Sequence, residues 1–264
     1  MDDYTIPITK PASQFAGNVS QPKQETTFPT EVIELPSKGF FYRDNDPLSS
    51  GKVELKMMTA KEEDILTNQS YINNGTVIDK LLKSLVVSKI NYDDLLIGDK
   101  NAIMIAARIL GYGAEYTFNY LNETHTVDLS QIENKPLKEE LFKDRTNEFT
   151  FALPKSGNLI TFKFLTHKDE QDVNRELEGL KKINRDASPE LSTRLKYIIT
   201  SVNGQRDKKD IREFVDNYLL AQDSRALREY IREIQPDVDL TFFPDESSDR
   251  VNIPIGLNFF WPDF

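Results

Sequence analysis

The sequence predicts an α+β fold: two lobes of short helices with β-hairpins, behind a flexible N-terminal arm. Three observations carry that prediction. Apolar residues recur at helical spacing in several separate segments. Between them lie short runs that alternate apolar and polar residues, bounded by Gly, Pro, Asn and Asp. The first 29 residues show neither period and are rich in Thr, Gln, Ser and Pro, with Phe15 and Phe28 as isolated apolar side chains. The division that follows is an arm over 1–29, an N-terminal α+β lobe over 30–135, and a C-terminal helical lobe with hairpins and an aromatic tail over 136–264, with about seven or eight helices in all. At 264 residues, 38% hydrophobic and 29% charged, the chain can bury a core without covalent staples. An arm of this composition can take up order on a neighbouring subunit.

Taken in order, Val32 to Pro36 reads as a short strand ending at proline, Ser37-Lys38-Gly39 as a turn, and Phe40-Phe41-Tyr42 as a short aromatic strand. Asp44 to Gly51 is a polar loop around Pro47. Val53, Leu55 and Met57 alternate with Lys52, Glu54 and Lys56, a half-buried strand. Thr59-Ala60-Lys61-Glu62 has the form of a capping box and opens a helix carrying Ile65 and Leu66. Thr76 starts the next, with Val77, Ile78, Leu81, Leu82, Leu85 and Val86 as a wide apolar stripe.

The strongest local signal is Asp93 to Gly113. Asp99 is the expected N-cap. Ile103, Ala106, Ala107 and Leu110 line one side, Met104, Ile105 and Ile109 the other, and only Lys100, Asn101 and Arg108 are polar before Gly111. A helix apolar nearly all round is buried on most faces. Gly111 and Gly113 are its expected stop, giving a length of about 11 residues.

Beyond it, Tyr116, Phe118 and Tyr120 alternate with polar residues and Thr126 to Leu129 returns, a hairpin turning over Asn122 to Thr124. Pro136 to Phe142 reads as a short helix with proline in its first turn. Glu148 to Leu153 and Asn158 to Leu165 form a second hairpin across Pro154 to Gly157. Four helices follow. Val173, Leu177, Leu180 and Ile183 stripe the first; Ser188-Pro189-Glu190 opens the second, which runs to about Ile199; Asn203-Gly204 turns into the third, with Ile211, Phe214, Val215, Tyr218 and Leu219. Leu227, Tyr230, Ile231 and Ile234 stripe the fourth, ended by Pro236. Leu240 to Phe243 and Val251 to Ile255 make a last hairpin around Pro244 to Asp249. It is alike in design to the Tyr116–Leu129 hairpin but not in sequence, which alone establishes no repeat.

Composition excludes several function classes. Lys+Arg is 33 against Asp+Glu 43, a net charge of −10, the wrong sign for a nucleic-acid face. With no cysteine there is no disulfide, thiolate metal site or cysteine nucleophile. The two histidines, His125 and His167, match no metal motif and read as surface or hairpin residues. No stretch reaches the ~18 apolar residues of a membrane span, and the N-terminus lacks an apolar signal core, so a cytoplasmic protein is expected. The acid pairs Glu62/Glu63, Asp93/Asp94 and Glu139/Glu140 are sequence neighbours, point apart on a helix, and read as solvated surface. Gly111-Tyr112-Gly113 closes a helix where a phosphate loop would open one. Lys181-Lys182 and Lys208-Lys209 read as solvated helix faces. No catalytic, cofactor-binding or metal-ligating residue is assigned, and no cofactor is expected.

Two features read as candidate protein-interaction sites. Asp223 or Ser224 is the expected cap of the last helix, and Arg225 and Arg228, three apart on one side, suit either a solvated face or a clamp on a carboxylate or backbone turn. Phe259, Phe260, Trp261 and Phe264 crowd the chain end. They either pack on the protein's own core or plug a neighbouring subunit.

Asp94-Leu95-Leu96-Ile97-Gly98-Asp99-Lys100-Asn101-Ala102-Ile103, then Ala107-Arg108-Ile109 and Gly111-Tyr112-Gly113, resembles the baseplate hub assembly family of T-even-type contractile-tailed bacteriophages. So do Leu35-Pro36-Ser37-Lys38-Gly39 with Phe41-Tyr42, the run Met58 to Leu66, Asp223 to Arg228, Pro236 to Asp239, and Phe259 to Pro262. The likeness spans about residues 31–264 and rests on the set and its order. It implies a non-enzymatic protein that binds other baseplate hub and tail proteins, as chaperone or structural subunit, in the host cytoplasm during assembly or in the finished tail. Many relatives carry paired cysteines in the two hairpins, like zinc ribbons. Here those positions, Asn119 to His125 and Pro244 to Asp249, hold none, so the hairpins must be held by cross-strand packing. A hub-associated ligand-binding or hydrolytic protein is the alternative reading. It requires converging acid, base or metal ligands that the sequence does not display.

Overall fold

In the computed structural model, residues 29–142, 144–183, 189–244, 249–255 and 257–260 are described. Among them are eight α-helices and nine strands in four small antiparallel sheets, an α+β fold. The residues of the N-terminal arm before 29, of most of the turn after Pro244 and of the chain end after 260 lie outside the described set.

β1 (Thr30–Glu34) pairs with β2 (Lys52–Lys56), Ile33 opposite Val53. The connection begins with the turn at Leu35–Gly39, closed by the Lys38 amide on the Leu35 carbonyl at 2.9 Å. Gly39 has φ +79°, and a Cβ there would lie 2.2 Å from the Ser49 carbonyl oxygen, so only glycine fits. α1 (Ala60–Leu66) opens on the expected capping box, the Glu62 carboxylate accepting the Thr59 amide at 3.0 Å. α2 (Gln69–Asn73) and α3 (Val77–Leu85) follow, and Val86 bridges to Leu55 on the free edge of β2.

α4 (Ile97–Tyr112) is the long buried helix that the sequence announces. No residue of it is exposed. It leads into the hairpin of β3 (Glu115–Tyr120) and β4 (Glu123–Asp128). Leu121 and Asn122 both take positive φ, as a two-residue mirror-image turn demands. β5 (Phe149–Ala152), β6 (Leu159–Phe162) and β7 (Ile199–Val202) make a three-stranded sheet. Against it lie α5 (His167–Ile183), α6 (Glu190–Ile198), α7 (Lys208–Asn217) and α8 (Ala221–Ile234). β8 (Thr241–Phe242) and β9 (Val251–Asn252) form the last hairpin.

One apolar core runs from Leu35 to Phe260 without a break. Edge-to-face rings tie its early and late parts together. Phe41 meets Phe142 at 4.7 Å and Phe164 at 5.3 Å between ring centres.

Several local expectations are corrected. Phe40–Tyr42 is turn and bend, not strand: the Phe40 and Tyr42 amides donate back to the Ser37 and Gly39 carbonyls, and the Phe41 ring enters that aromatic cluster. Pro136–Phe142 contains only a 3-10 turn at Glu139–Leu141. α4 has 16 residues, since Gly111 stays helical against Met58 and the chain turns only at Gly113, φ +84°. Asp99 and Asp223 are not N-caps. Leu96 and Leu220 hold those positions with no side-chain bond, and each aspartate sits inside the first turn. The first free amide of α4 is met by tertiary structure: the Ile97 amide donates to the Leu165 carbonyl at 3.2 Å. The stripe of α5 ends early, with Val173 buried and Ile183 86% exposed. Tyr218 is exposed just past α7.

Glycine positions give opposite stability expectations. A Cβ on Gly98 would lie 1.9 Å from the Pro236 carbonyl oxygen, whereas one on Gly179 meets nothing within 4 Å. Gly98→Ala is expected to destabilise by roughly 2 kcal/mol or more through overpacking, and Gly179→Ala, in an exposed helical position, to stabilise by about 0.5–1 kcal/mol. Urea midpoints of the two variants check the opposite signs.

Candidate functional site

The sequence-predicted interaction residues do not converge. Arg225 is exposed and its Nε donates to Glu229 Oε1 at 2.8 Å, one turn on in the same helix. Arg228 is half-buried, its Nε 3.3 Å from the Ser224 carbonyl. Both arginines thus bond within α8; among the described residues neither clamps another element. Phe259 and Phe260 are fully buried, packed at 5.3 Å on each other and, for Phe259, at 4.9 Å on Tyr116. They belong to the protein's own core and are not available as a plug for a neighbouring subunit. Trp261 and Phe264 lie outside the described residues.

What fixes the tail is Arg108, 3% exposed in the middle of α4. Its guanidinium donates to three carbonyls: Phe259 at 2.8 Å through Nε, Gly113 at 2.7 Å through Nη1, and Glu115 at 3.0 Å through Nη2. An arginine fork suits this because its donors point in fixed, diverging directions. The long apolar helix therefore carries one buried cation that holds its own C-terminal turn and the Phe259 backbone together.

Two aspartates do the corresponding work at helix starts. Asp99, 0% exposed, accepts the Ser37 amide at 2.9 Å and the Tyr42 hydroxyl at 2.5 Å. Asp223, also 0% exposed, accepts the amides of Lys155 at 2.7 Å and Ser156 at 3.0 Å. Their acidities are driven apart. Burial raises Asp99 to about 6, with Asp237 adding to it, and its two hydrogen bonds only partly compensate. Burial also opposes charge on Asp223, but the Ser156 side chain together with the Lys155 and Ser156 amides outweighs it and holds its carboxyl below the usual range. The solvated reading of Glu62 is likewise overturned: it is 0% exposed. Burial pushes its pKa up, yet bonds from Lys56, Thr59 and Ser84 prevail and lower it to about 2.

His167 is buried rather than a surface residue. Lys100 Nζ lies 3.3 Å from its Nδ1, and its Nε2 lies 2.9 Å from the Gln171 side-chain amide nitrogen and 3.6 Å from an Asp79 carboxylate oxygen. Lys100 pairs with Asp79 at 2.6 Å, and Tyr92 packs edge-on against the imidazole. Burial lowers the His167 pKa and Lys100 lowers it further, against Asp79. The group joins α3, α4 and α5. Nothing in the sequence spacing of Asp79, Lys100 and His167 signals it. His125 sits by the hairpins, its ring 5.2 Å from Phe242. Phe118, from the other hairpin, meets the same Phe242 at 4.9 Å, so the cysteine-free hairpins are held by aromatic packing across the pair.

A cavity of about 270 Å³ lies beside the start of α4, lined by Leu96, Ile97, Gly98, Phe164, Ile198 and Pro236 among others. It is small for a ligand pocket. Its two cations are already paired, Lys163 with Asp169 and Arg194 with Glu170, each at 2.7 Å. Among the described residues, no group of three or more His, Asp or Glu could hold a metal ion, and no helix is long and apolar enough to cross a membrane.

Comparison with protein-family models, with curated proteins and with solved structures finds no match.

Two measurements test this geometry. A raised carboxyl favours the fold below its unfolded pKa, and that contribution is lost as pH rises through about 6 for Asp99. Asp99→Asn is expected to abolish this fall between about pH 4 and 7. The difference between wild-type and variant melting temperatures across that range isolates it from His167, whose contribution has the opposite sign and is lost as pH falls through the ordinary imidazole range. Arg108→Met, which orphans three carbonyls, is expected to cost about 3 kcal/mol and to free the chain end. Limited proteolysis should then cut first in residues 253–264.

Proposed function

We propose that the protein acts without catalysis in assembling the central hub of a contractile-tail baseplate, as resembles the T-even-type phage family, by binding other hub and tail proteins. It works in the host cytoplasm during assembly, as a chaperone or as a subunit carried into the tail. The observation that carries this reading is that the motifs of the resemblance fall together on the parts that build this fold. Leu35–Gly39 is the turn gripped by Asp99. Met58–Leu66 holds the capping box, Arg108 and Phe259 bond each other, and Asp223 grips the second hairpin. Scattered chance matches have no reason to land on interlocking elements. Exposed apolar side chains such as Leu220, Tyr218 and Met57 add surface of the kind that protein partners cover.

The reading predicts stoichiometric complexes with hub proteins. Purified protein should retain hub components and not tail-sheath protein in pull-downs, and deleting its coding sequence should leave baseplates without a complete hub. Normal baseplates from the deletion, together with no retained hub component, would overturn it.

A further inference from the structure

We infer that residues 30–128 and 149–252 are two copies of one folding unit joined head to tail, and that the two joining faces left unused attach one copy of this chain to another. This goes beyond the hub reading and does not depend on it.

The equivalence rests on side chains that do the same work at the same place. Each unit opens with a strand running into a turn, Leu35-Pro36-Ser37-Lys38-Gly39 after β1 and Leu153-Pro154-Lys155-Ser156-Gly157 after β5. The glycines have φ +79° and +73°. The third residue of each turn gives its amide to a buried aspartate, Ser37 to Asp99 at 2.9 Å and Lys155 to Asp223 at 2.7 Å. Each aspartate is the third residue of its helix, behind a Leu-Leu pair, Leu95-Leu96 or Leu219-Leu220. Lys56, Thr59 and Glu62 recur as Lys163, Thr166 and Asp169. In both sets the lysine reaches the carboxylate at 2.7 Å, and the carboxylate accepts the threonine amide at 3.0 Å. Val86, the residue after α3, is bridged to Leu55; Ile199, the residue after α6, is paired with Phe162. A hairpin follows the aspartate-bearing helix of each unit, α4 or α8.

Besides side-chain packing, the units are joined by one backbone bridge. Leu96, before α4 of the first unit, bridges Thr166, before α5 of the second. The Ile97 amide donates to the Leu165 carbonyl at 3.2 Å, and the His167 amide to the Leu95 carbonyl at 2.7 Å. A two-fold arrangement would repeat this bridge between Leu220 and Thr59. Among the described residues it is not repeated. The equivalent side chains are instead exposed. Leu96 is 2% exposed and Leu220 46%; Phe164 is 5% exposed and its counterpart Met57 36%. His167 is buried and Ala60, in its place, is exposed. A heterologous joint that does not close within the chain leaves one complementary face at each end, and such faces meet between copies. Here the face around Leu220 would receive the Met57–Ala60 segment of the next molecule by the same backbone bridge.

The contact between copies is looser than the one within the chain. Gly98, which has no room for a Cβ against Pro236, is replaced by Gln222 in the second unit. Like-charged chains of −10 also repel. Association is therefore expected only at high concentration, and more strongly as salt screens the repulsion.

Sedimentation of the full chain over a range of concentrations tests this, with three variants: Leu220→Asp, Met57→Asp, and the chain lacking residues 1–28. Wild type and the truncated chain should associate, and each point variant alone should stay monomeric. Mixing the two point variants restores one intact face pair, so a 1:1 complex that grows no further is expected. That readout separates a lost face from a lost fold, since a misfolded variant cannot complement. A wild type that is monomeric throughout, point variants that still associate, a mixture that does not pair, or association that needs the first 28 residues would each overturn the proposal.

Discussion

The structure depends on a buried carboxylate in the first turn of a long helix gripping the turn of a distant hairpin. Asp99 does this for α4 and Asp223 for α8. Taking a carboxylate out of water is costly unless its oxygens are met by hydrogen bonds. Once met, the bond fixes both distance and orientation, which apolar packing alone does not. Each aspartate thereby sets a helix against a sheet formed about sixty residues earlier in the chain. The two sites resolve the same cost differently. Asp223 receives two backbone amides and stays acidic. Asp99 receives one amide and a tyrosine hydroxyl beside the charge of Asp237, and its pKa rises to about 6.

The rest of the core is arranged on these two grips. With α4 placed, Arg108 reaches the carbonyl of Phe259 and draws the chain end back against the first hairpin, where Phe259 meets Tyr116. With α8 placed, Tyr230 stacks on Phe151 at 4.9 Å and closes the second sheet. Phe41, Phe142, Phe149 and Phe164 then fill the space between, and the apolar core is continuous. The buried cation and the buried carboxylates never face one another as an ion pair. Arg108, Asp99 and Asp223 are satisfied by backbone or hydroxyl groups, so they report on chain geometry and not on net charge, whereas buried Glu62 also pairs with Lys56.

This arrangement separates structural residues from surfaces open to partners. Phe259 and Phe260 have the composition of an interface anchor, and in the fold they are core. The arginines of α8 look like a clamp, and they bond within their own helix. Two of the open apolar side chains, Leu220 and Met57, sit where one half of the molecule displays an element whose counterpart is buried in the other half. On the proposed reading, the informative chemistry lies there, in Leu220 and Met57, rather than in the charged residues that draw the eye in the sequence.

The α+β class, the capping box at Thr59, α3, the burial of α4 and both long hairpins were legible from periodicity and turn residues, because those depend on neighbours within a few positions. The two aspartates were seen but misassigned as caps, since an aspartate before an apolar run looks the same whether it bonds its own helix or a turn far away. The grouping of Asp79, Lys100 and His167 and the reach of Arg108 to Phe259 could not be read at all: no spacing encodes contacts between elements. The likeness of the two halves lies between these cases. Leu-Pro-Ser-Lys-Gly and Leu-Pro-Lys-Ser-Gly, and the Leu-Leu-x-x-Asp helix starts, are plain in the letters, but the intervals between them differ. The sequence by itself determined local conformation and the apolar faces to be buried. Only the tertiary structure decided which distant turn each buried charge would hold, because a buried polar group is settled by the nearest partner in space and not by the nearest in the chain.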